Sequence, residues 1–173
     1  MTLSRGSSTK LALPLFTLVV AFLTSSVLVC SIVRVDVLVV ESINGSSFTL
    51  RVPRVITIEY NHSVERGKVV ETLEAGSDCI RLVSLIWQGH GAGMPSSLRD
   101  IEGVLRVNEG LYEVKVDRCL GQSITVNLDY MVEGRLTVDG LHFTSGVHVF
   151  RLEERALLRV LLDELVRYYL VFK

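Results

Sequence analysis

A surplus of positive charge is the first thing this sequence lacks. Lys and Arg total 18 and Asp and Glu total 19 among 173 residues. No basic field is available to hold a phosphate backbone, which argues against nucleic acid as the main partner. Low-complexity tracts, internal repeats and long charge runs are also missing. None of the three cysteines sits in a Cys-x-x-Cys pair, so neither a zinc ribbon nor a thioredoxin-like site is indicated. No Gly-x-Ser-x-Gly nucleophile elbow is present.

Charge is absent altogether from residues 11–33, LALPLFTLVVAFLTSSVLVCSIV, a run of 23 residues. As a helix it extends about 35 Å, slightly more than the roughly 30 Å hydrocarbon core of a bilayer. Arg5 and Lys10 precede it, no acid lies among the first ten residues, and Arg34 follows. These flanks favour a cytoplasmic N-terminus with everything after Arg34 outside. A cleaved signal peptide is the competing reading, but its apolar region is usually shorter, about 7 to 15 residues. Val27-Leu28-Val29-Cys30 resembles a lipoprotein box with a residue too bulky before the cysteine. A buried core helix is disfavoured because the run has no polar face.

The hydrophobic fraction is 49% and mean hydropathy +0.41. Beyond the apolar run it is spread over short strands. Val35–Val40, Phe48–Val52, Val55–Tyr60, Val69–Leu73 and Ile80–Trp87 are apolar runs separated by turn residues, Asn44-Gly45 and Ala75–Asp78 among them. Tyr112–Val116 alternates with period two. Ile124–Val132 and Leu136–Val138 flank Glu133-Gly134-Arg135, and Asp139-Gly140 divides Val138 from Leu141-His142-Phe143. Helices do not alternate with these strands. The expectation is a mainly β, antiparallel sandwich or barrel-like domain, with an N-terminal transmembrane helix and a C-terminal helix.

From Glu153 to Lys173 the pattern becomes helical. Arg155, Arg159, Asp163 and Arg167 recur every four residues as one polar stripe, and Leu157, Leu158, Leu161, Leu162, Leu165 and Val166 cover the rest. Such an apolar face packs on the β-domain, on a partner in the membrane plane or on the lipid interface. The predicted organisation is a cytoplasmic N-terminus over 1–10, a transmembrane signal anchor over 11–33, an extracytoplasmic β-rich domain over 34–152 and an amphipathic helix over 153–173. Cys79 and Cys119 fall in the outer domain, where an oxidising compartment would allow them to pair.

Two polar motifs are candidate sites. The first, Tyr60-Asn61-His62-Ser63-Val64-Glu65-Arg66, follows a strand. Histidine beside serine and glutamate can support acid–base or nucleophilic chemistry. Neighbours on an extended strand point to opposite faces, however, and the bland alternative is a polar strand end bonding its own backbone. The second, Gln88-Gly89-His90-Gly91-Ala92-Gly93-Met94-Pro95, has glycines that leave backbone N–H groups uncovered, as an anion-binding nest requires. No lysine follows as in a phosphate-binding loop, and Pro95 stops an immediate helix, so a tight crossover is the bland alternative. His142 and His148 are six apart, not a recognised metal-ligand spacing. If their strands met, His62 and His90 could ligate a metal with Glu65 or Glu71.

ITIEYNHSVERGKVVETLEAGSDCIRLVSLIWQGHGAGMPSS, carrying both motifs in this order, resembles the core of the DUF-eighteen-fifty family, a group of unknown function. The matching elements are His62 to Glu65, Val70-Glu71 and Gly91 to Pro95. Lys68 and His90 depart from the family pattern, where a proline and an aromatic residue are expected. Members lie beside genes for TRAP-type solute transporters of the TAXI subclass. The resemblance therefore implies an accessory role near such a multi-span transporter, and supplies no catalytic residue.

Together these observations predict a single-pass protein whose partners are the lipid bilayer and a solute transporter. His62, Ser63, Glu65, His90, Gly91, Gly93 and Pro95 are its candidate ligand-binding residues, and no cofactor or metal is assigned. The alternatives are a hydrolase or metalloenzyme using His62, Glu65 and His90, or a structural membrane-tethered assembly module.

Overall fold

The structure is a computed structural model that describes residues 9–63, 66–89, 104–108 and 110–171. Among these residues the chain is mainly β, with two antiparallel sheets, one N-terminal helix and one C-terminal helix. Residues 36–154 form one compact unit, and residues 1–35 with 155–173 form another.

The four-stranded sheet of the first unit orders as β2 (Ser47–Arg51), β1 (Arg34–Ser42), β11 (Val147–Ala156) and β8 (Ser123–Asn127). The seven-stranded sheet runs β10 (Leu141–Phe143), β9 (Val132–Val138), β3 (Arg54–Asn61), β4 (Lys68–Ala75), β5 (Ile80–Gln88), β7 (Leu111–Gly121) and β6 (Val104–Asn108). The chain forms hairpins where the sequence carries turn chemistry. Gly45 (φ 82°) joins β1 to β2, and Asp139 (φ 50°) with Gly140 (φ 78°) makes a two-residue turn in which Val138 faces Leu141. Both central positions of that turn need positive φ, which Asp and Gly tolerate at least cost.

Side chains from both sheets meet in one core. Leu38, Val40, Leu50, Val126 and Phe150 come from the smaller sheet, and Ile56, Ile58, Leu73, Ala75, Ile80, Leu136 and Val138 from the larger. Alternation along each strand places these residues on one face, as in Ile56 and Ile58 of β3. His148 belongs to this interior. It is 2% exposed, its Nε2 lies 3.0 Å from the Ser145 carbonyl oxygen, and its ring packs 4.6 Å from Phe143.

Two segments of the 36–154 unit depart from the sequence expectation. The run Ile124–Val132 is not one strand: a 3-10 turn at Leu128–Tyr130 divides β8 from β9, capped by the Asn127 side chain, which accepts from the Asp129 N–H at 3.1 Å. Glu133-Gly134-Arg135 is not a turn but the start of β9. A Cβ on Gly134 would stand 2.8 Å from Met131 Cβ, so glycine is there to let the 3-10 turn pack.

In the second unit, α1 spans Thr9–Ile32 and α2 spans Leu157–Val171. The Leu157 N–H donates to the Val33 carbonyl at 2.9 Å, and the two helices touch. The C-terminal helix begins later than the charge spacing predicts, because residues 153–156 continue β11, and strand pairing overrides helix propensity there. Arg155 still reaches Asp163, at 3.9 Å. Large apolar side chains are exposed along both helices, from Phe22 (71%) on α1 to Leu165 (68%) on α2. Among the described residues no helix is long and apolar enough to cross a membrane.

Phe150 is fully buried at the centre of the shared core. Phe150→Ala is expected to lower unfolding free energy by about 3–5 kcal/mol through lost transfer energy and the cavity it leaves. Urea unfolding of the full chain in mild detergent measures this, and a loss below about 1 kcal/mol contradicts the shared core.

Candidate functional site

The first motif lies in the β3–β4 hairpin connection. Asn61 pairs with Lys68, and His62, Ser63, Arg66 and Gly67 are the described residues of the connection. The His62 N–H donates to the Gly67 carbonyl at 2.8 Å, and the Arg66 N–H donates to the His62 carbonyl at 2.9 Å. Arg66 sits at φ 55°, a left-handed conformation that reverses the chain. His62 and Ser63 therefore stand in a turn rather than on a strand, and strand alternation does not assign their directions. Gly67 is required by contact, because a Cβ there would run into the backbone carbonyl of Gln88. The close of the first motif thus abuts the opening residue of the second. Glu65, His90, Gly91, Gly93 and Pro95 lie outside the described residues.

Three further pairs surround the turn. Lys68 Nζ meets Glu59 Oε2 at 2.9 Å, and Asn61 Nδ2 donates to Glu133 Oε2 at 2.6 Å, which ties the turn to the start of β9. The third pair is of another kind. Register places Glu71 opposite Ile58, and Tyr60 opposite Val69. Directly opposed residues share a sheet face, so Glu71 lies on the same face as the core residue Ile58. The Tyr60 hydroxyl donates to Glu71 Oε1 at 2.9 Å. Burial first, then the Glu71 charge and hydrogen bond, push the Tyr60 phenol well above its ordinary value of 10.0.

The same face continues across β5 and β7. Val69, Trp87 and Val114 form a second buried cluster, flanked by Tyr60, Leu85 and Tyr112. The Trp87 and Tyr112 rings stack with centroids 5.3 Å apart. A half-buried carboxylate is thus set among aromatic and aliphatic side chains beside a polar turn. Val69, Trp87 and Val114 are themselves buried, so the half-buried Tyr60–Glu71 pair is the part of this face that can meet a polar group. The period-two pattern Val69, Glu71, Leu73 already places the acid on the apolar side of β4; the Tyr60 partner follows only from strand pairing.

A cavity of about 680 Å³ opens at the opposite end of β4 and β5. Its wall includes Asp36, Glu74, Asp78 and Asp117 with a single base, Arg81. Arg81 pairs with Asp78 and, at 3.1 Å, with Asp117. The Arg81 hydrogen bond holds the Asp78 carboxyl below its usual value. With its one cation engaged, this cavity repels anions.

Metal chemistry finds no assembled donor set. Among the described residues no group of three His, Cys, Asp or Glu side chains is placed to hold an ion. His142 Nδ1 lies 3.0 Å from Thr137 Oγ1, and His148 is core. Cys79 and Cys119 are both free thiols here.

A β-rich domain with a polar hairpin turn beside an acid-bearing apolar sheet face is the class this geometry defines. The chain belongs to the family described as the domain of unknown function DUF1850, whose model matches residues 56–144, just over half of the sequence. The match opens on β3 and takes in both motifs, Tyr60, Glu71 and Trp87. No curated protein and no solved structure matches the chain.

Three substitutions check the site. Gly67→Ala is expected to cost about 1–3 kcal/mol from the clash with Gln88, while Ser63→Ala stays within about 0.5 kcal/mol. Tyr60→Phe should cost about 1–2 kcal/mol at neutral pH. The folded phenol keeps its proton to higher pH than the unfolded one. Its contribution is therefore complete below about pH 10 and lost as pH rises through the raised folded value. Unfolding midpoints measured from pH 7 to 11 should fall more steeply for the native chain than for Tyr60→Phe; parallel curves contradict the Tyr60–Glu71 pair.

Proposed function

We propose that the chain is a membrane-anchored, extracytoplasmic accessory protein that contacts a ligand beside a multi-span solute transporter. Residues 11–33 are the uncleaved single-pass anchor, the N-terminus is cytoplasmic, and the β-rich part is a sandwich-like domain outside. The observation that carries this is the 23-residue stretch without a charge, flanked by Arg5, Lys10 and Arg34. In support, α1 exposes Phe16, Leu18, Phe22, Leu23, Leu28 and Ile32, a covering suited to lipid rather than water. The transporter neighbour rests on the family resemblance. The ligand contact is assigned to His62, Ser63 and Glu65 and to the stretch from His90 through Gly91 and Gly93 to Pro95, with Glu71 and Tyr60 as further polar contacts.

One observation favours a second role, a membrane-tethered assembly module. α2 buries Val160 but leaves Leu161, Leu162, Leu165, Val166 and Tyr169 exposed. A face of this kind fits a partner helix in the membrane plane.

Membranes washed at alkaline pH are expected to retain the full-length protein, and mild detergent is expected to release it with a multi-span transporter. Recovery in the wash, or a monodisperse lone protein after detergent, overturns the respective half of the proposal. In the reconstituted transporter, Gly93→Val should reduce solute uptake more than His62→Ala, and full uptake by both removes the ligand contact.

A further inference from the structure

Two thiols in the 36–154 unit take no part in the site at the other end of the sheet. Cys79 closes the β4–β5 turn, its carbonyl accepting the Gly76 N–H at 3.1 Å. Cys119 lies on β7 opposite Arg81, which is two residues beyond Cys79. Cys79 immediately precedes β5, so it lies diagonal to Cys119 across the β5–β7 pairing, with Arg81 directly opposite Cys119. The Arg81–Asp117 ion pair, at 3.1 Å, fastens β5 to β7. The register slips beside it: Ile80 faces Gly121 while Arg81 faces Cys119, leaving Leu120 as an extra residue.

A hydrogen bond to the Cys119 side chain is the main cause, ahead of burial, that pushes the Cys79 thiol up to about 11. Cys79 is 4% exposed, whereas Cys119 is open to solvent.

We propose that Cys79 and Cys119 are a disulfide-forming pair that closes when the domain meets an oxidising compartment, stapling the β4–β5 turn to β7. The bond would fix Gly76, Ser77 and Asp78 against Asp117, all of them in the wall of the acidic cavity. The compartment rests on the proposed extracytoplasmic address, but the pairing itself does not.

The chemistry follows from the asymmetry of the two thiols. Cys119, the accessible thiol, loses its proton as it attacks one sulfur of a carrier disulfide such as glutathione disulfide and expels one thiolate. Cys79 then gives up its proton and attacks the Cys119 sulfur of the mixed disulfide, displacing the second thiolate. Two protein thiols are oxidised by two electrons, and the carrier is reduced to two thiols that take up the two protons.

The test uses the full native chain in mild detergent, treated with glutathione disulfide, alkylated, digested without reductant and analysed by mass spectrometry. A peptide joining Cys79 to Cys119, about 2 Da lighter than the two reduced peptides together, is expected, with Cys30 fully alkylated. Reductant should abolish it, and Cys119→Ser should prevent it. Glutathione retained on Cys119 with Cys79 still alkylated, or a link to Cys30, overturns the pairing. Protein alkylated during extraction from cells separates the two layers of the claim. A link formed by glutathione disulfide but absent from that sample keeps the pair and rejects the address.

Discussion

Burial of one apolar face from each sheet is the constraint on which the 36–154 unit depends. The two sheets are unequal, four strands against seven, and the shared core draws on β9, β3, β4 and the start of β5. The far end of the larger sheet needs its own packing. Val69, Trp87 and Val114 supply it, with the Trp87–Tyr112 stack at its edge. Glu71 stands on this face, level with Ile58 of the main core. A carboxylate there cannot rely on bulk water alone, so its bond from Tyr60 is a requirement of the packing. The candidate site lies where a polar pair, Tyr60 and Glu71, stands between the main core and the Val69, Trp87 and Val114 cluster.

Much of this fold was legible because strands and their turns are local. Tyr112–Val116 alternates because β7 has two unlike faces, and Asn44-Gly45 and Asp139-Gly140 mark hairpins because Gly45, Asp139 and Gly140 adopt positive φ. What escaped depends on distant partners. The run Ile124–Val132 reads as one strand until Leu128 is drawn inward and Asn127 caps the break. Gly134 resembles a turn residue, yet it serves the close approach of Met131. β6 carried no local signal strong enough to single it out.

The site was legible in part. The polar stretch after β3 is in the sequence, but the turn at His62 and Arg66 and the seat of Gly67 against Gln88 are not, because the latter contact is made by glycine having no side chain. Glu71 could be placed by alternation, whereas its partner Tyr60 follows only from β3–β4 register. The sequence names Cys79 and Cys119 as a candidate pair, and the β5–β7 register places the partner of Cys119, Arg81, two residues beyond Cys79. Family membership adds that residues 56–144, which contain the turn and the acid-bearing face, form a recurring unit. The strands β1, β2 and β11 that complete the shared core lie outside that match.

Anchoring and address are the centre of the functional account, and the solvent-exposed thiol of Cys119 offers a direct probe of both. Intact cells are treated with a membrane-impermeant reductant and then with a membrane-impermeant maleimide, with a Cys119→Ser chain as the control. An extracytoplasmic β-domain predicts that Cys119 is labelled before lysis and that the control is not. Labelling of Cys119 only after the cells are broken would contradict the account.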